Sequence, residues 1–379
     1  MRETAMSRSG SGAAESQPID PSRVTIARQR RGLTMTSLAR TLGVTPRTVS
    51  TYEREGAPAK AGEALAEALD VPSEFLRRPA LDLVDDERVA FRARRRTSAG
   101  QRAAATAAGR IGIELYAWLL ERFTVPDVDL PELDHDDPVR AASALRGRWG
   151  RPTGPVPNLV HLAEAHGVRV LTLPAGAAEV DAFSVWHDGA PYVFLTTSKT
   201  PERARFDLAH ELGHLVLHSR SGGGDLEREA DQFAAALLMP VEELRTRVGR
   251  EVAAPQVVRS KAYFGVSAMA LNRSLHAAGR MSDWTYRQNC VRLTQMGYRA
   301  GEPAGIARER SKVLRIVFDA LRESGTTTRD VADALGLRPE DVHDLTFGLA
   351  MTTVAPSLAP EGQPSPQVGR QGLRLVRTT

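Results

Sequence analysis

The chain has 379 residues, room for two or three compact units, and its 42% hydrophobic but only 5% aromatic content favours helices over a strand-rich sandwich. One cysteine, Cys290, excludes an internal disulfide and a cysteine-based zinc knuckle. No run approaches the ~18 apolar residues of a membrane span, and no secretory leader pattern opens the sequence, so the chain reads as a soluble, cytoplasmic protein.

The net charge of +4 is unevenly spread. Residues 21–60 carry Arg23, Arg28, Arg30, Arg31, Arg40, Arg47, Arg54 and Lys60 against Glu53 and Glu55. Residues 91–110 add Arg92, Arg94, Arg95, Arg96, Arg102 and Arg110 without an acid. A basic front end is the electrostatic footprint of a polyanion partner.

Residues 1–20 lack periodicity and are expected to be disordered. Residues 21–80 read as short helices with sharp turns. Within Leu38–Glu53, Gly43 supplies the permissive turn backbone, Thr45 an N-cap and Pro46 the first helical residue. Leu38, Leu42, Val44, Val49 and Tyr52 form the seam between two helices and leave Arg47 and Thr51 outward. In a major groove, Arg47 would meet base edges while Thr45 and Thr48 meet phosphates. The stretch from Arg23 to about Leu76, with its lead-in Arg30-Arg31-Gly32-Leu33-Thr34, resembles the helix-turn-helix of XRE-family, lambda-repressor-like regulators. That resemblance implies a five-helix domain binding double-stranded DNA, working as a homodimer on a near-palindromic site. Met35 stands where the family commonly places a Gln, which shifts phosphate anchoring toward arginines.

Residues 81–137 read as a helical linker, with a long helix over about 99–123 and a Pro- and Asp-rich stretch from Val125 to Asp137. Residues 138–250 change texture: a helix from Asn158 to His166, strands at Val168–Leu173, Val180–Trp186 and Tyr192–Thr196, and helices over about 201–218 and 226–239. Asp188-Gly189 marks a hairpin turn, so a short antiparallel sheet is expected. Residues 251–350 are helical by spacing and 351–379 a disordered tail. The helix-turn-helix outline recurs at Ala262–Leu275 and Val331–Leu345, around Gly265 and Gly336, outside a basic context; these two copies read as packing units.

Arg205–His218 reads RFDLAHELGHLVLH. His210 and His214, four apart on a helix, can both reach one Zn²⁺, while Glu211 between them is placed to take the proton of a water that the ion acidifies. The next helix, LEREADQFAAALLM, is expected to bury Ala230, Ala234, Leu237 and Leu238, which puts Glu227 and Asp231 beside that stripe. Carboxylates there need partners: Glu227 as third ligand and Asp231 as acceptor for a ligand histidine N–H satisfy both. Glu229 competes with Glu227 but points with Phe233 and Ala236, toward a flank expected to meet solvent. His218 and Tyr286 are oxyanion candidates that read first as an ordinary surface histidine and a core tyrosine.

These helices, closed by Met239-Pro240, resemble the ImmA/IrrE-type metallopeptidases, a gluzincin-like group, from about Asn158 to Val248. The resemblance implies zinc on His210, His214 and Glu227, a catalytic Glu211, a supporting Asp231, and a protein substrate or partner such as a repressor or toxin. His218 lies too close to His214 for a metzincin layout. Val180–Trp186 is expected to be the edge strand to which an extended peptide adds.

The expected architecture is therefore mainly α with a small α+β domain: a five-helix DNA-binding domain, a zincin-like domain and a C-terminal helical region. The expected function is a transcriptional regulator that cleaves a protein target. The alternative is an antitoxin or sensor whose metal domain binds without cleaving; an intact Glu211 favours cleavage, because a structural zinc site needs no base beside it.

Overall fold

The computed structural model describes residues 18–81, 90–93, 98–133, 137–177, 180–218 and 225–350. Residues 1–17 and the tail from 351, both expected to be disordered, lie outside the described residues, as do Arg94, Arg95 and Arg96.

Five helices open the fold: α1 (Pro21–Arg30), α2 (Met35–Leu42), α3 (Pro46–Glu55), α4 (Gly62–Leu69) and α5 (Ser73–Arg77). Their starts follow the caps, since Asp20 accepts from the amides of Ser22 and Arg23, Thr34 from Ser37 and Thr45 from Thr48. Gly43 ends α2 at φ 66°, ψ 27°, a left-handed conformation that suits a residue without a Cβ. Leu38 and Val49 are fully buried between α2 and α3, with Leu42, Val44 and Tyr52 packed against them.

A four-stranded sheet follows, in the order β1 (Ala90–Ala93), β3 (Val180–His187), β4 (Ala190–Thr196), β2 (Arg169–Leu173). β3 and β4 form the expected hairpin, turning at Asp188 and Gly189 with φ 48° and 70°. Two expectations are corrected here. The sheet is mixed, because β2 runs parallel to β4; the chain leaving β2 crosses to the far side of β4 before it starts β3, so no tight turn forces an antiparallel pairing. β3 is also not an edge, since β1 pairs antiparallel along it with Ala90 opposite Ser184 and Phe91 opposite Phe183. A four-residue strand rich in Ala and Arg carries too little apolar alternation to be recognised from sequence.

Helices cover both faces of the sheet. On one face lies α6 (Ala99–Leu120), started by a Ser98/Gln101 capping box. Its glycines permit close approach: a Cβ on Gly109 would come within 2.5 Å of Phe183 and one on Gly112 within 2.8 Å of Phe194. Phe183 and Phe194 stack on each other across the strands, 4.6 Å between centroids. Because side chains alternate along a strand, Ser184 points to the other face, where α9 (Pro201–Leu217) lies. β4 is buried along its whole length between the two layers. α10 (Leu226–Leu238) packs on α9, and α7 (Pro138–Arg148) on α10, while α8 (Leu159–Ala165) leads into β2.

The C-terminal half continues with α11 (Val241–Arg247), α12 (Ala254–Phe264), α13 (Ala268–Ala277), α14 (Asp283–Gln295), α15 (Lys312–Glu323), α16 (Thr328–Leu335) and α17 (Pro339–Leu345). Gly265 and Gly336 take the same left-handed turn as Gly43, at φ 65° and 62°.

The first five helices are fixed to the rest by buried charge. Arg23, fully buried, donates to both oxygens of Glu114 on α6 at 2.7 and 2.8 Å, and Arg78 joins the same carboxylate at 3.2 Å. Arg30 pairs with Asp341 on α17. The molecule is thus mainly α, with one small sheet to which the region expected to be a linker contributes a strand, β1, and a buried covering helix, α6.

Candidate functional site

α9 begins at Pro201, whose missing amide is harmless at a helix start, and runs through His210 and His214. Both imidazoles are buried, 1% and 3% exposed, and their Nε2 atoms face each other at 3.0 Å. Two ring lone pairs at that distance repel unless a cation or proton lies between them. Gly213 lets α10 come close enough to add a third group, for a Cβ there would meet Phe233 at 3.1 Å and the Ala230 backbone at 3.2 Å. Glu227, on the first turn of α10, then reaches both histidines: Oε2 lies 3.5 Å from His210 Nε2 and Oε1 3.3 Å from His214 Nε2.

A tetrahedral zinc with bonds of about 2.0–2.1 Å needs its ligand atoms roughly 3.3 Å apart. The two imidazole nitrogens lie 3.0 Å apart, each has a Glu227 oxygen at 3.5 or 3.3 Å, and one ligand atom from each residue lies within 4.8 Å of the others, so the donor set fits the ion in identity and gathers close to that spacing. Among the described residues no other His, Cys, Asp or Glu group has such geometry. Burial pushes the Glu227 carboxyl up, but hydrogen bonds from His210 and His214 outweigh it and hold the group well below the usual carboxylate range.

Glu211 is fully buried on the sheet side of α9, where its Oε2 accepts from Ser184 Oγ at 2.6 Å. Asp231 Oδ1 lies 3.0 Å from His210 Nδ1, the partner anticipated from its place one turn after Glu227. His218 and Glu229 depart from expectation. His218 is 5% exposed and sits between His214 Nδ1, at 3.1 Å, and Glu229 Oε2, at 3.0 Å. Phe233 is buried against Gly213, so the flank it shares with Glu229 meets protein. The periodicity of α10 alone could not show this, because the angle at which α10 crosses α9 decides which flank is covered. Tyr286 stacks on His276, 4.5 Å between centroids, and lines a cavity.

That cavity, of about 520 Å³, opens beside Asp231 between α9, α10, α13 and α14. Phe206 and Asp207 form its α9 wall, and Met269, Ala270 and Arg273 its α13 wall.

On α3, Thr45 caps the helix and its hydroxyl lies 2.9 Å from that of Thr48. Arg47 is exposed and makes no ion pair among the described residues, and Thr51 is half-exposed on the same helix. Met35 is 39% exposed at the first position of α2. The count of front-end basic residues overstated the free charge: Arg23, Arg28, Arg30 and Arg31 are spent on Glu114, Glu53, Asp341 and Asp70.

A tight helix pair with an open, cationic outer face, followed by a HExxH helix with a carboxylate brought in from the next helix, defines a two-part protein: a DNA-binding module joined to a metallopeptidase-like domain. Comparison with protein families agrees, a helix-turn-helix model matching residues 26–76 and an IrrE N-terminal-like domain model matching residues 163–276. The two matches support a fusion of an XRE-type helix-turn-helix with an ImmA/IrrE-type domain. No curated protein matches the chain. Both β1 and α6 lie outside the two matched ranges, although β1 is a strand of the sheet on which α9 packs and α6 covers its other face. Among the described residues no helix is long and apolar enough to cross a membrane.

Proposed function

We propose that the protein is a cytoplasmic transcriptional regulator that binds double-stranded DNA through α3 and cleaves a protein target with a zinc-dependent endopeptidase site. His210, His214 and Glu227 hold the zinc, and Asp231 orients His210. Thr45, Arg47, Thr48 and Thr51 face the DNA, in a homodimer as the family resemblance implies. The observation that carries the peptidase reading is the cluster of His210 and His214 Nε2, 3.0 Å apart, with one Glu227 oxygen 3.5 Å from the first and the other 3.3 Å from the second, and a buried carboxylate, Glu211, between the two histidines.

When bound, zinc supplies a Lewis acid that acidifies water and polarises a carbonyl. Glu211 is the base that takes the water's proton, held in one orientation by the Ser184 hydroxyl. The sheet edge available to an extended peptide is β1, since β3 is paired on both sides.

Glu211→Gln tests the proposal. Zinc content and operator binding are expected to stay at wild-type level while cleavage, read as new protein N-termini in cells, falls roughly 10²–10⁴-fold, the usual worth of a general base. Unchanged N-termini and unchanged transcript levels would show that the site binds without cutting.

A further inference from the structure

The two histidines of the site are held differently. His210 meets a carboxylate directly, through Nδ1 and Asp231 at 3.0 Å. His214 Nδ1 instead faces His218 Nδ1 at 3.1 Å, and His218 Nε2 faces Glu229 Oε2 at 3.0 Å.

With both rings neutral and His214 ligating through Nε2, the chemistry of imidazole sets the direction of each hydrogen bond in this row. A neutral ring carries one N–H and one lone pair, so of two Nδ1 atoms in hydrogen-bond contact one donates and the other accepts. The Nε2 of His214 is the atom turned toward His210 and Glu227. Ligation through that atom leaves the ring proton on Nδ1, which donates to His218. His218, accepting at Nδ1, then carries its own proton on Nε2, where the Glu229 carboxylate accepts it. The tautomer of each ring follows from the next partner outward.

We propose that His218 and Glu229 form a positioning relay that holds His214 in its ligating tautomer and orientation, with the carboxylate one imidazole removed from the ligand. The proposal rests on the zinc reading above. Glu227 and Glu229 come from the same first turn of α10, so that turn would supply one ligand and also orient another. His218, the C-cap of α9, is nearly sealed from solvent, whereas Glu229 is 28% exposed and can be changed with less risk to the core.

The test is zinc affinity of the full-length protein, measured by competition with a chromophoric chelator, beside thermal unfolding of the metal-free form. His218→Leu is expected to weaken zinc roughly 10- to 100-fold, the usual effect of removing such a partner. Glu229→Gln should cause a smaller loss. His218→Asn, which keeps an acceptor oxygen near the position of Nδ1, should recover part of the affinity. In nitrogen-15 spectra of the zinc-loaded protein, the hydrogen-bonded Nδ1–H of His214 should be protected from exchange in the wild type and exposed in His218→Leu. If wild-type protein binds zinc and both His218→Leu and Glu229→Gln bind it equally well, the relay is wrong and the metal site stands. If wild-type protein binds no zinc, the metal site itself is wrong.

Discussion

The turn between α2 and α3 and the turn between α12 and α13 share a glycine conformation, a backbone hydrogen bond and a cap, yet they present their second helices to different surroundings. Gly43 and Gly265 sit at φ 66° and 65°, the next amide bonds back to the carbonyl of Ala39 or Lys261, and Thr45 or Ser267 caps the helix that follows. α3 turns Arg47 to open solvent. α13 turns Met269, Ala270 and Arg273 to the cavity beside Asp231. One supersecondary unit therefore serves as a surface for a partner in the first case and as a cleft wall in the second. What a helix-turn-helix does is set by what its outer face meets and which charges remain unspent there.

The attachment of the front module to the rest of the chain gives the largest expected effect. The front module depends on a buried ion pair, so Glu114→Ala, which strands the Arg23 guanidinium in the interior, should destabilise the fold by about 3–5 kcal/mol, read by thermal or denaturant unfolding. Stability within ~0.5 kcal/mol of wild type would mean that packing alone holds the front module in place.

A smaller effect separates the two outer faces. Arg47→Ala should weaken operator binding by about 1–3 kcal/mol, whereas Arg273→Ala on the cavity-facing side of α13 should leave it unchanged, both measured at one fixed salt concentration. Equal losses in the two variants would erase the distinction drawn here. The smallest effect tests their likeness: Thr45→Ala and Ser267→Ala should each cost about 1 kcal/mol of stability, because each hydroxyl accepts the amide three residues on at 3.2 Å. A clear inequality would show that the shared backbone conceals different local energetics.

Local features were legible in the sequence. The four-residue spacing of His210 and His214, the cap at Thr45, the Asp188-Gly189 hairpin and the glycine turns all depend on residues close in sequence. Glu227 and Asp231 could be anticipated because carboxylates beside an apolar stripe need partners. What escaped depends on how distant segments meet. The covering of β3 by β1, the parallel entry of β2, and the burial of His218 against Glu229 each require the relative placement of separate elements. The same holds for charge, where four arginines that looked free are neutralised, two of them by acids more than 90 residues away.

The most direct test of the account is zinc stoichiometry, by mass spectrometry of purified protein, in the wild type and in Glu227→Ala. One zinc per chain in the wild type, falling to a small fraction in the variant with DNA binding intact, is the predicted result. A wild-type protein without zinc, or a variant that retains a full equivalent, would contradict the claim that α9 and α10 together build a metal site.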